Sequence, residues 1–154
     1  MANPQDSLDW GPLDASLGFL LRLAQLEAFE AYFAATDSTP PLPGNLSILL
    51  MVRQNPGIRQ GVLARALRIK RAHMTKIVHS LEQSGQLHGC VPADDRRAVE
   101  LHLTPAGLAA AERAWSAVRG HESAPPSTLT AEETDTLRHL LRKYLSLQEH
   151  GNEP

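Results

Sequence analysis

The chain has 154 residues, 42% of them hydrophobic and 21% charged, with a formal net charge of -2 at pH 7. That length supports one domain with a real core, and no apolar run approaches the ~20 residues that cross a bilayer. Cys90 is the single cysteine, which excludes an intrachain disulfide and a cysteine-based zinc cluster.

The acids Asp6, Asp9 and Asp14 stand where a secretory signal carries positive charge, so a cytoplasmic protein is expected. The net charge conceals an asymmetry. Residues 53–97 hold nine basic residues and three acids, a net +6, whereas residues 1–52 carry -5 and residues 98–154 carry -3. A basic middle between acidic ends suits one face that meets phosphate. A solvated charged surface is the other reading of the same numbers.

Residues 1–12, with Pro4, Gly11 and Pro12, read as a flexible N-terminus. From Leu13 to about Ala35 a long helix is predicted, apolar around most of its circumference, which asks for packing on its own domain and on something else. Thr36 to Gly44 reads as a proline-rich loop. Short helices are predicted over Leu46 to Gln54 and Gln60 to Leu67, the second with Val62, Leu63 and Leu67 as core contacts. A third runs from Arg71 to Ser84, with Met74, Ile77, Val78 and Leu81 as the i, i+3, i+4, i+7 stripe of a half-buried helix, and Gly85 as its C-terminal cap.

The period then changes. Val99, Leu101 and Leu103 alternate with Ala98, Glu100 and His102, and Leu87 to Val91 supplies an antiparallel partner. Residues 92–97 form an exposed polar tip. Thr104 caps a helix with Pro105 in its first turn, rich in small residues that allow close approach of another helix. His121 to Thr128 reads as a loop, and Thr130-x-x-Glu133 is a capping box opening a last helix striped with Leu137, Leu140, Leu141, Tyr144 and Leu145.

The expected fold is therefore mainly α with a small β-hairpin. Its order of three helices and a two-stranded hairpin is that of a winged helix-turn-helix. The run Asp94-Asp95-Arg96-Arg97-Ala98-Val99-Glu100-Leu101-His102-Leu103-Thr104-Pro105-Ala106-Gly107 resembles the wing signature of the MarR family, an Asp-x-Arg followed by a hydrophobic strand and Leu-Thr-x-x-Gly. Gln60 to Leu67 and Thr75 to Gly85 resemble that family's first helix-turn-helix helix and the end of its recognition helix. The match covers about Leu46 to Gly107. Arg59, Arg68, Lys70 and His88-Gly89 depart from the family pattern, Arg68 by replacing a turn glycine.

The resemblance implies a homodimer whose terminal helices interlock. It divides the chain into a flexible segment 1–12, an N-terminal dimerisation helix and loop 13–44, a DNA-binding lobe 45–104, C-terminal dimerisation helices 105–149 and a tail 150–154. It implies a transcriptional repressor on double-stranded DNA with a near-palindromic operator.

Burying the stripe of the third helix turns Arg71, Ala72, His73, Thr75, Lys76 and His79 outward. Arg71, His73, Thr75 and Lys76 lie toward the N-terminal end, where a helix in the major groove reads base edges. Arg96 and Arg97 suit a narrow minor groove, and by the family resemblance Arg97 is the inserted arginine, oriented by a charge-assisted bond from Asp95.

Relatives of this family bind small, often aromatic, anions. Arg22, the only basic residue among the first 52, is a candidate partner for an aromatic acid or aryl thioester, with a salt bridge as its alternative role. Tyr32 and Trp115 are candidates for lining the same cleft, with ordinary core packing as theirs. Cys90 is expected as a small buried strand residue. His73/His79 and His88/His102 lack helical i, i+4 ligand spacing; a hairpin could set the second pair face to face, a weak zinc candidate, and no metal or cofactor is assigned. No phosphate-binding glycine loop, nucleophile elbow or His-Glu-x-x-His motif occurs, so no enzyme is expected. The competing class is a winged-helix interaction module that does not bind DNA.

Overall fold

A computed structural model of the chain describes residues 8–34, 43–93, 95–122 and 129–147. The segment 36–42, Asp94 and the tail 150–154 lie outside the described residues. The elements are α1 (Leu17–Ala34), α2 (Pro43–Gln54), β1 (Ile58–Arg59), α3 (Gln60–Ala66), α4 (Arg71–Gln83), β2 (Leu87–Cys90), β3 (Glu100–Leu103), α5 (Pro105–Glu122) and α6 (Ala131–Tyr144). Two compact units contain them, Met1–His121 and Glu122–Pro154, and α6 lies in the second. The fold is mainly helical, as expected, and the hairpin is part of a three-stranded antiparallel sheet of order β1-β3-β2.

Several boundaries move. The first helix starts at Leu17, not Leu13, because Gly11–Leu13 forms a separate 3-10 turn. Ser16 caps it, its Oγ accepting from the Phe19 N–H at 3.5 Å. Just before it, Asp9 Oδ1 accepts from the Gly11 N–H at 2.8 Å and the Trp10 ring meets Phe19 at 5.6 Å. The next helix starts at Pro43, in the first-turn position proline favours. The fifth helix continues through His121 to Glu122.

The core of the first unit joins Ile48, Leu49 and Val52 of α2, Leu63 and Ala64 of α3, Met74, Val78 and Leu81 of α4, Leu87, Leu101 and Ala111. Each fully buried leucine among them stabilises the fold by about 2–5 kcal/mol against alanine. Val62, expected in this core, is 43% exposed; the short α3 turns Leu63 and Ala64 inward instead. A smaller cluster packs Tyr32 with Leu46 and Ala114.

Two helix ends share one device. After α4, Gly85 at φ +69° lets its N–H reach Glu82 O while Gln86 N–H reaches Leu81 O. After α3, Arg68 takes the same left-handed turn at φ +54°, with its N–H on Arg65 O and Ile69 N–H on Ala64 O. Arginine performs the turn that glycine performs without strain.

In the second unit the capping box forms in full. Thr130 Oγ1 accepts from the Glu133 N–H at 3.3 Å and Glu133 Oε2 accepts from the Thr130 N–H at 2.8 Å. The Thr130 backbone N–H, then its hydroxyl, stabilises the Glu133 carboxylate and lowers its pKa.

Candidate nucleic-acid interface

Helix α4 buries Met74, Val78 and Leu81 and half-buries Ile77. Arg71, His73, Thr75, Lys76 and His79 are consequently exposed together with Ala72. The helix begins on Lys70 without a side-chain cap and has no acid in its first turn. Its positive dipole end thus coincides with two basic residues, an arrangement that costs helix stability and favours an anion.

Not every outward side chain is free to read bases. The Thr75 hydroxyl donates to Arg71 O at 3.1 Å and accepts from Gln60 Nε2 at 3.0 Å. Its polar end holds α3 on α4, leaving its methyl group for contact. His79 Nε2 lies 3.1 Å from Gln83 Nε2, one turn further along α4. Arg71, His73 and Lys76 carry the exposed polar chemistry of the first two turns.

The wing tip is built from backbone geometry. Asp95 Oδ1 accepts from the Arg97 N–H at 3.0 Å, and Asp95 Oδ2 pairs with Arg59 Nη1 at 3.5 Å. The expected carboxylate partner of Arg97 therefore fixes its main chain, and the guanidinium it holds is that of Arg59. Arg96 and Arg97 are both exposed. Arg59 follows Ile58 in β1 and is the residue before α3, so this pair connects the wing tip to the first helix of the helix-turn-helix.

A second link joins the wing to α4. Glu82 Oε1 accepts from the Gly89 N–H at 2.9 Å. A Cβ on Gly89 would come within 2.8 Å of Val99 Cγ1 and 3.0 Å of Glu82 Oε1, so a larger residue there would make these side chains shift. Gln60, Thr75, His79, Glu82, Cys90 and Val99 help line an open cleft of about 360 Å³ between α4 and the wing. Gln60, Arg59 and Glu82 were not among the site residues expected from sequence; no local pattern marks contacts of this kind.

Arg22, Tyr32 and Trp115 do not line that cleft. Arg22 is exposed on α1, Tyr32 is buried against Leu46 and Ala114, and Trp115 is half-buried on α5. Ten residues separate Arg22 from Tyr32, a rise of about 15 Å along α1. Burial raises the Tyr32 pKa and keeps its phenol neutral. Cys90, expected inside, is exposed: strand alternation turns Leu87 and Gly89 inward and His88 and Cys90 outward.

Among the described residues, no helix is long and apolar enough to cross a membrane. Residues 43–99 match the MarR family. A protein assigned as the transcriptional regulator of the hcr operon in Thauera aromatica is 33% identical over 134 residues, 86% of this chain and 81% of that one. The transcriptional repressor CouR, solved on a 23-mer DNA duplex, matches with a TM-score of 0.83 at 31% identity, covering 90% of this chain and 99% of its own. CouR solved with p-coumaroyl-CoA gives a TM-score of 0.81 at 28% identity, covering 92% and 100%. With the wing, the recognition helix and the Leu-Thr-x-x-Gly turn all in place, the chain belongs to the MarR family of winged helix-turn-helix transcriptional regulators.

Proposed function

We propose that the protein is a homodimeric repressor that holds a near-palindromic operator through α4 and the wing tip of each subunit. The observation that carries this reading is the outward face of α4: Arg71, His73 and Lys76 exposed, no acid in the first turn, and Arg96 and Arg97 exposed on the wing of the same basic segment. Arg71 is the base reader, suited to guanine; Lys76 is a phosphate contact; His73, Thr75 and His79 complete the groove face; and Arg97, backed by Arg96 and shaped by Asp95, enters the minor groove.

Dimerisation is supported by apolar surface left open in the single chain. Leu17, Leu20, Leu26, Phe29 and Phe33 on α1 are exposed, as are Leu137, Leu140 and Tyr144 on α6. Patches of this kind mark association surfaces. The effector is an aryl thioester or aromatic acid, a reading supported by CouR binding p-coumaroyl-CoA. Arg22 supplies the exposed cation of α1 for its anionic end, while Trp115 and Tyr32 belong to the apolar wall.

The test is a titration against duplex DNA from upstream of the protein's own gene, at two salt concentrations, with Arg97→Ala alongside. Specific binding that weakens with salt and falls in the variant is expected. Release by p-coumaroyl-CoA or related thioesters extends the test to the effector. Absence of binding to any duplex refutes the repressor reading and leaves a winged-helix interaction module.

A further inference from the structure

The outward face of the wing sheet carries a cluster that DNA recognition does not use. Antiparallel register sets His88 opposite His102 and Cys90 opposite Glu100. Leu87, Gly89, Leu101 and Leu103 occupy the other face by strand alternation, so the four polar side chains share one side of two adjacent strands. Cys90 Sγ, a carboxylate oxygen of Glu100 and a ring nitrogen of His102 all lie within 4.8 Å of one another. The His88 ring stacks on His102 with centroids 5.2 Å apart and planes 19° from parallel.

We propose that Cys90, Glu100 and His102 form a binding site for a zinc-type divalent cation, with His88 or water as the fourth ligand. The donor set decides the class of ion. Thiolate and imidazole favour zinc and its borderline-soft neighbours, whereas magnesium and calcium require oxygen throughout. Zinc bonds of ~2.0–2.3 Å in a tetrahedron set the donors about 3.5 Å apart. The three donor atoms already lie within 4.8 Å of one another, on one exposed and two half-buried side chains.

Two further features favour the site. Among the described residues, none of these three side chains hydrogen-bonds or ion-pairs with another group, so binding displaces no existing partner. The His102 ring lies over Gly57, where an added Cβ would be 3.5 Å from Cε1, so that side of the ring is set by backbone. The ligands come from both strands of the hairpin, so a bound ion staples β2 to β3. Binding takes the Cys90 thiol proton into solvent and leaves the ion's oxidation state unchanged.

The experiment uses the full chain without a histidine tag and needs no DNA, so its outcome is independent of the repressor reading. Zinc is titrated in competition with a chelating dye, and cobalt(II) is titrated separately to read thiolate-to-metal charge-transfer absorption. One ion per chain and a charge-transfer band are expected. Cys90→Ser should abolish the band, Cys90→Ser and His102→Gln should each weaken zinc at least tenfold, and His73→Gln should change nothing. Metal-free thermal unfolding of each variant verifies that the fold is retained. A cobalt adduct without the band, or zinc affinity unchanged in Cys90→Ser, overturns the site.

Discussion

A Cβ on Gly107 would stand 1.8 Å from the carbonyl oxygen of Gln86 and 2.7 Å from its carbonyl carbon. The start of α5 is thus pressed against the backbone that follows α4. Thr104 secures the approach: its N–H reaches Gln86 O at 3.2 Å, its hydroxyl donates to Gly85 O at 2.6 Å, and its Oγ1 accepts from the Gly107 N–H at 3.1 Å. Gly107→Ala should therefore cost about 3 kcal/mol, since backbone rather than a flexible side chain must move. Gly61→Ala is the matched control, meeting nothing nearer than Arg65 Nη1 at 4.0 Å, and should gain about 0.5–1 kcal/mol from lower chain entropy. Urea unfolding reads both.

Arg68 offers the opposite experiment. Its φ of +54° is a left-handed turn at the end of α3. Arg68→Gly should stabilise the chain by about 1 kcal/mol, visible as a raised urea midpoint with unchanged slope. A lowered midpoint would mean that the arginine side chain contributes more than the turn costs.

The two classes of DNA contact separate by salt. Arg71→Ala should lower operator affinity by about 1–3 kcal/mol and relax preference at one position of each half-site. Lys76→Ala should weaken all sequences alike and reduce the slope of log K against log salt by about 1. Fluorescence anisotropy on operator and scrambled duplexes distinguishes them, and equal loss on both duplexes for Arg71→Ala would remove its base-reading role.

The capping box gives α6 a pH dependence of known sign. Glu133 has a lowered pKa in the folded chain, so its stabilising contribution is complete above the ordinary glutamate range. It is lost as pH falls through the lower, folded value. Carbon-detected NMR titration of the Glu133 carboxyl should show the depressed midpoint, and Thr130→Ala should return it toward the ordinary value.

The exposed face of α1 predicts assembly. Phe29→Glu places a charge on that apolar surface and should shift light-scattering mass from dimer to monomer. A monomeric wild type would remove the basis for a palindromic operator.

The parts of this fold legible in sequence are those with local periodicity or local turn chemistry. The stripe Met74, Ile77, Val78, Leu81, the alternation Val99, Leu101, Leu103, the Gly85 turn and the Thr130–Glu133 box each need only a few consecutive residues. β1 leaves no mark in the sequence because two residues show no alternation; Ile58 and Arg59 are strand only by pairing with Leu101 and Glu100. Cys90 departs from the burial expected of a cysteine because strand parity, not side-chain type, decides its face. The contacts that shape the interface, Arg59 with Asp95 and Gln60 with Thr75, span 36 and 15 residues and leave no local trace.

Those same contacts bear on how the proposed effector would act. The wing tip is tied to the start of α3 through Arg59 and Asp95, α3 to α4 through Gln60 and Thr75, and α4 to the wing through Glu82 and Gly89. The three links close a loop of polar contacts through the wing, α3 and α4. If the lobe moves as one body, a ligand acting on it would change its distance from the lobe of the other subunit in the proposed dimer, not the bases it prefers. Induction would then be a matter of gauge: a DNA whose half-sites are respaced by a base pair should recover affinity for the liganded protein, with the same half-site letters.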